Sequence, residues 1–183
     1  RALEARLAWE LAALQLPAAR WTPESMHEGQ PVADVVIIGG GMSGLTLGAA
    51  LQHRGMQVDI VDESPEGLEG PWATTARMET LRSPKQLTGP ALGIPSLSFR
   101  AWFEAQWGSP AWEALDKIPR LQWMDYLRWY RHFLDIPVRY GTRVTRIAPG
   151  KAGFTLHLER GGAASTGQFR AAMEAAERGV PVV

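Results

Sequence analysis

A chain of 183 residues, 45% of them hydrophobic, can bury one substantial core with additions to it. Lysine plus arginine and aspartate plus glutamate both total 19, so no net field draws nucleic acid or an anionic membrane, and a small molecule is the expected partner. The absence of cysteine excludes disulfides, thiolate zinc sites and a cysteine nucleophile, and suits a reducing cytoplasm.

Leu3, Leu7, Leu11 and Leu14 recur at helical spacing, which predicts an amphipathic helix ending near Pro17, with a linker completing residues 1–30. Charges interrupt it throughout, so it is no secretion signal, and no stretch approaches the roughly 20 apolar residues that span a bilayer. Val35 to Ile38 are four consecutive β-branched residues running into Gly39, the pattern of a central strand buried on both faces of a parallel sheet.

Gly39, Gly41 and Gly44 then match G-x-G-x-x-G. The first glycine permits a tight turn, the second lets a phosphate approach the backbone, and the third packs helix on strand. The helix expected from about Met42 to His53 starts with Ser43 and Gly44 and continues through Gly48, Ala49 and Ala50, so it can lie close to the sheet. Its free N–H groups face the turn formed with Gly40 and Met42, ready for a pyrophosphate. Glycine-rich turns also occur by chance, but here a second apolar strand follows and ends in Asp62, 18 residues beyond Gly44. A ribose-binding carboxylate belongs at that place, with Glu63 the alternative acid, and an acid there favours FAD or NAD over NADP. Leu45 stands where a hydrolase elbow needs glycine, and no Gly-Lys-Ser/Thr follows to make a P-loop.

Residues 64–91 are rich in Gly, Pro, Ser and Thr and read as a long ordered loop, because Trp72, Met78, Leu81 and Leu87 would be wasted in a solvated tail. The loop is expected to fold back over the nucleotide. Between 95 and 135 the aromatics crowd together at spacings that fit two helices, about Ser98 to Gln106 and Arg120 to Leu134, broken by Gly108, Pro110 and Pro119. That pattern describes a helical insertion packed on the sheet, and without interleaved basic charge it is no stacking surface for single-stranded nucleic acid. Val144 and Ile147 alternate with arginines, then Phe154, Leu156 and Leu158 alternate beyond a Pro-Gly-Lys-Ala-Gly turn, which predicts a strand pair. His27, His53, His132 and His157 are scattered over unlike elements and suggest no metal or catalytic cluster. Residues 163–183 read as a divergent tail with one short helix around Arg170 to Glu177.

The run from the glycine turn through "EGPWATTARMETLRSPKQL" to "IPRLQWMDYLRWYR" resembles a branch of the FAD-dependent monooxygenases, two-dinucleotide flavoproteins that include N-hydroxylases, flavin-containing and Baeyer–Villiger-like enzymes. The likeness covers about residues 34–148, with "GPW" and "TLRSPK" its most specific segments. It implies an α/β fold: a Rossmann-like FAD-binding βαβ core over 31–162, with a parallel sheet, the helical insertion and the N-terminal helix. It also implies FAD as cofactor and NAD(P)H as co-substrate, and insertion of one oxygen of O₂ into a small molecule through a flavin hydroperoxide. Asp62 would hold the ribose, Gly70 to Trp72 would lead to the flavin ring, and Arg77, Thr80 and Arg82 would lie near that ring or the substrate. Val144 would meet the adenine. Packing for Trp72 and solvation for Arg77 and Arg82 stand as the plainer alternatives. A flavin reductase, oxidase or urate-hydroxylase-like enzyme, or a non-catalytic nucleotide-binding fragment, remains open. The Ala-Thr-Gly turn and second glycine fingerprint of such enzymes do not occur in the sequence, so an incomplete domain is expected.

Overall fold

The computed structural model describes residues 1–27, 29–150 and 153–169. Helix α1 (Ala2–Ala13) turns its leucine stripe inward and buries Leu7 completely against the 3₁₀ turn Pro95–Leu97 and the helix that follows it. A short antiparallel ribbon, β1 (Met26–His27) and β2 (Gln30–Pro31), leads to the first long-range structure.

Strand β3 (Val35–Ile38), helix α2 (Met42–His53) and strand β4 (Val58–Val61) form the βαβ unit the sequence predicts, with parallel pairing from Val35 opposite Val58 to Ile38 opposite Val61. Strand β5 (Val138–Arg139) pairs parallel with β4 on its other side. The central position expected of β3 is not the one it takes. Among the described residues β4 is the central strand and β3 the edge, so Ile37 is buried while Val35 and Val36 are half-buried and Ile38 is 55% exposed. A β-branched run marks a strand able to pack on both faces, and whether neighbours cover it is decided by pairing at long range.

The aromatic segment forms helices α3 (Phe99–Ala114) and α4 (Arg120–Phe133). Gly108, at φ 80° and ψ 164°, breaks α3 into two pieces, and the second piece, beyond the expected end near Gln106, carries the buried Trp112. Phe99 sits at the centre of the cluster, with the rings of Trp102, Phe103, Trp112, Trp123 and Tyr126 at centroid distances of 5.4–6.3 Å. This cluster, Leu7 of α1, and Ile37, Leu45 and Ile60 of the βαβ unit belong to one continuous hydrophobic core.

The predicted strand pair is a three-stranded antiparallel sheet of β6 (Thr142–Gly150), β7 (Gly153–Arg160) and β8 (Ala163–Phe169). Gly161 and Gly162, at φ 57° and 84°, form a two-residue turn that needs positive φ at both positions, and β8 then pairs with β7 from Arg160 back to Phe154. A register shift between Val144 and Arg146 interrupts the β6 ladder, and Ile147, expected to alternate inward with Val144, is 49% exposed. The helix expected at Arg170 to Glu177 lies outside the described residues.

Candidate functional site: the glycine turn and its two cavities

At the carboxyl end of β3, Gly39 adopts φ +103°, a conformation that side chains resist, and its N–H donates to the Val61 carbonyl at 2.8 Å. Gly41 is the N-cap of α2, and no side chain caps that helix, so its first-turn donors are left for another acceptor. At Gly44 a Cβ would stand 1.9 Å from the Gly39 carbonyl oxygen, which explains glycine by helix–strand contact. At Gly41 a Cβ would meet the backbone of Gly70, its Cα at 3.4 Å and its N at 3.8 Å. The loop after β4 therefore returns over the turn, as expected, and its Gly70 closes the space in front of Gly41.

Asp62 is buried, and its carboxylate organises the turn from within: Oδ2 accepts from the Gly40 N–H at 2.6 Å and Oδ1 from the Ser64 N–H at 2.8 Å. Its backbone is bound as tightly, the N–H to the Arg139 carbonyl and the carbonyl to the Thr142 N–H. That bond sets the start of β6 beside the turn and brings Val144 to it.

Two cavities and a groove flank the turn. A polar cavity of about 580 Å³ is lined by Ile38, Gly39, Asp62, Glu63, Gly70 and Val144, with Ser64, Thr74, Thr75, Thr142 and Arg143 supplying further polar groups. The structure thus gathers Asp62, Glu63 and Val144 around Gly39. Glu63 is solvent-facing and lies 3.6 Å from Arg143. On the other side an apolar cavity of about 190 Å³ contains Met42, Trp72, Leu81, Leu87 and Trp123 among its walls, and an open groove runs past Met42, Ser43 and Leu47. Trp72 packs edge-on to Trp123 with centroids 6.4 Å apart and forms part of the wall of the apolar cavity.

Arg77 and Arg82 are not brought in: both side chains are exposed and neither lines these spaces. Between them Thr80 forms a β-bridge with Pro119 and Leu81 is buried, so the segment points its apolar residues inward and its arginines to water. Arg128 and Arg131 bind the start of this loop at Gly67 and Glu66, and Arg120 binds it at the cavity wall, where its Nη1 donates to the Trp72 carbonyl. Sequence reading passed over Arg120, although an arginine in the first turn of α4, where no acid accompanies it, opposes the helix dipole and so marks a residue with another task.

Next to Gly70, the buried Glu69 accepts a hydrogen bond from the Tyr140 hydroxyl at 3.2 Å. Burial first, then the Glu69 carboxylate, pushes the Tyr140 hydroxyl well above the usual tyrosine range, so it stays a donor. Among the described residues no group of three or more His, Asp or Glu could hold a metal, and no helix is long and apolar enough to cross a membrane.

A glycine-lined strand-to-helix turn, open to a polar cavity on one side and an apolar one on the other, defines a dinucleotide-binding α/β protein. The family model described as FAD-NAD(P)-binding matches residues 36–172, and the chain belongs to that family. It is 51% identical over 162 residues to the FAD-dependent urate hydroxylase of Xanthomonas campestris pv. campestris, an alignment covering 87% of this chain and 34% of that protein. Among solved structures, the ornithine hydroxylase PvdA of Pseudomonas aeruginosa in its reduced form matches with a TM-score of 0.65 at 22% identity, over 76% of this chain and 37% of that one. The ornithine N-hydroxylase KtzI of Kutzneria sp. 744 matches with a TM-score of 0.62 at 22% identity, over 76% and 36%. These two likenesses concern the fold. The chain spans about a third of the length of the proteins it matches.

Proposed function

We propose that this chain is the FAD-binding part of a flavoprotein monooxygenase that consumes NAD(P)H and O₂ to hydroxylate a small molecule. The single observation that carries the reading is the turn itself: uncapped α2 donors and a bare Gly41 sit under Gly70, beside a cavity with carboxylates at its rim. The residues fit the cofactor. Gly39, Gly40, Gly41, Met42, Ser43 and Gly44 would present backbone donors to the pyrophosphate, Asp62 and Glu63 would face the ribose, and Val144 would flank the adenine. Trp72 would wall the ring end. Bound FAD would supply the redox chemistry, passing electrons from the nicotinamide to O₂. The protein's share is to bind and orient it, and to keep water from the ring with the apolar wall of Trp72, Leu81 and Trp123. The 51% identity to a urate hydroxylase favours a planar oxopurine over a flexible amine as substrate. A cysteine-free chain with no net charge suits a cytoplasmic enzyme acting on small metabolites.

The test is the visible flavin spectrum of the purified chain, and O₂ uptake with NAD(P)H by the whole flavoprotein of which it would be the FAD-binding part. A flavin spectrum and uptake stimulated by urate, with L-ornithine inert, is the expected result. Stimulation by L-ornithine alone would reverse the substrate class, and colourless protein that takes up no added FAD would remove the flavoprotein reading. Gly41→Val should lose FAD while keeping its fold, since the added methyls would press on the Gly70 backbone and displace the loop that closes over the turn. Retained flavin in that variant would reject the turn as its seat.

A further inference from the structure

Resting on that reading, we propose that Arg120 is a positioning residue: it holds Trp72 in place and so shapes the apolar cavity into a seat for the flat-ring end of the dinucleotide, without acting on the adenosine end. The two ends of the turn differ in chemistry. Gly39 opens on the polar cavity with Asp62, Glu63 and Arg143, whereas Met42 opens on a cavity that no charged side chain lines. A molecule lying across the turn would therefore have one polar end and one flat, apolar-faced end.

The wall of the apolar cavity is the segment from Trp72 to Leu87, which contains neither helix nor strand. It has no ladder of its own to keep its shape, so long-range fasteners must do so. Three converge on the start of α4: Arg120 Nη1 donates to the Trp72 carbonyl, the Arg120 N–H to the Glu79 carbonyl at 3.0 Å, and the Leu81 N–H to the Ile118 carbonyl at 2.8 Å. A fourth lies at the far end, where Lys85 Nζ donates to the carbonyls of Trp112, Glu113 and Leu115 and sits 4.9 Å from the Trp112 ring. Of these, only the Arg120 guanidinium grips the residue that both walls the apolar cavity and lies two positions from Gly70. No carboxylate lies within ion-pair distance of Arg120 among the described residues, so its charge is committed to a carbonyl.

The experiment compares FAD with ADP as probes by equilibrium titration of the purified chain. The wild type should bind FAD more tightly than ADP. Arg120→Ala should weaken FAD by about tenfold or more and leave ADP within about twofold, and Arg120→Lys, which keeps one charged donor, should restore part of the loss. Leu87→Trp provides a second variant, because Leu87 is 60% exposed at the rim and its replacement fills the cavity without touching a fastener. It should weaken FAD alone, at an unchanged thermal midpoint. Equal loss of both probes in Arg120→Ala, no loss of either, or undiminished FAD binding in Leu87→Trp would overturn the assignment. Wild-type protein that binds ADP as tightly as FAD would overturn it too, while leaving the nucleotide turn standing. Binding of neither probe would remove the nucleotide reading itself, and this inference with it.

Discussion

The βαβ unit of residues 34–63 and the loop with aromatic helices of residues 64–134 meet where Gly70 approaches Gly41, and they are built by different rules. In the first, each element follows from residues close in sequence: a β-branched run extends, glycines turn, and small residues let α2 approach β4. In the second, the helices carry local ring contacts, but the loop that walls the apolar cavity is held by partners tens of residues away, as in Arg120 with Trp72 or Lys85 with the end of α3. A motif can be read from a sequence when its physics is local. A wall made from an irregular loop cannot, because its shape belongs to the partners that hold it.

The strongest way to break this contrast is to remove the centre of the aromatic cluster. Phe99→Ala should cost about 3–5 kcal/mol in denaturant unfolding, since five rings lose their common neighbour. A loss below about 1 kcal/mol would mean that the insertion folds apart from the sheet. Next comes the local region. Gly44→Ala should cost up to about 3 kcal/mol, because its methyl would stand on the Gly39 carbonyl and push α2 from β3. Asp62→Ala, measured without nucleotide, should cost about 2 kcal/mol through two stranded backbone donors. Unchanged stability there would mean that Asp62 serves ligand alone.

The smallest effect concerns acid. Burial lowers the His53 pKa below the ordinary histidine value of about 6.5. The folded state therefore disfavours the proton that the unfolded chain accepts, so the stability tied to neutral His53 is complete above the unfolded value and declines as pH falls below it. His53→Gln should flatten that acid limb of the thermal midpoint without altering it at pH 8. An unaltered limb would place the acid sensitivity elsewhere.

Much of the site was legible before the fold. Helix α2 runs from Met42 to His53 as its spacing indicates, Asp62 ends β4 beside the turn, and Val144 reaches the polar cavity. The parts placed differently from expectation share a cause. Arg77 and Arg82 look inward in a loop flanked by apolar residues, but a chain with no period carries no record of which side faces the core. Strand β8 falls in the segment read as a divergent tail, because its polar, small-residue sequence has no hydrophobic alternation to mark a partner.

The amino-acid order alone established a strand, a bare turn, a small-residue helix and an acid in succession, because each follows from steric and dipolar demands between residues only a few positions apart. Folding in three dimensions determined that β3 lies at an edge of the described sheet, that Asp62 turns its carboxylate onto Gly40, and that Arg120, not Arg77 or Arg82, touches the cavity wall at Trp72. Those outcomes depend on which distant carbonyls and apolar surfaces compete for the same space, and such competition is resolved only when the whole core packs.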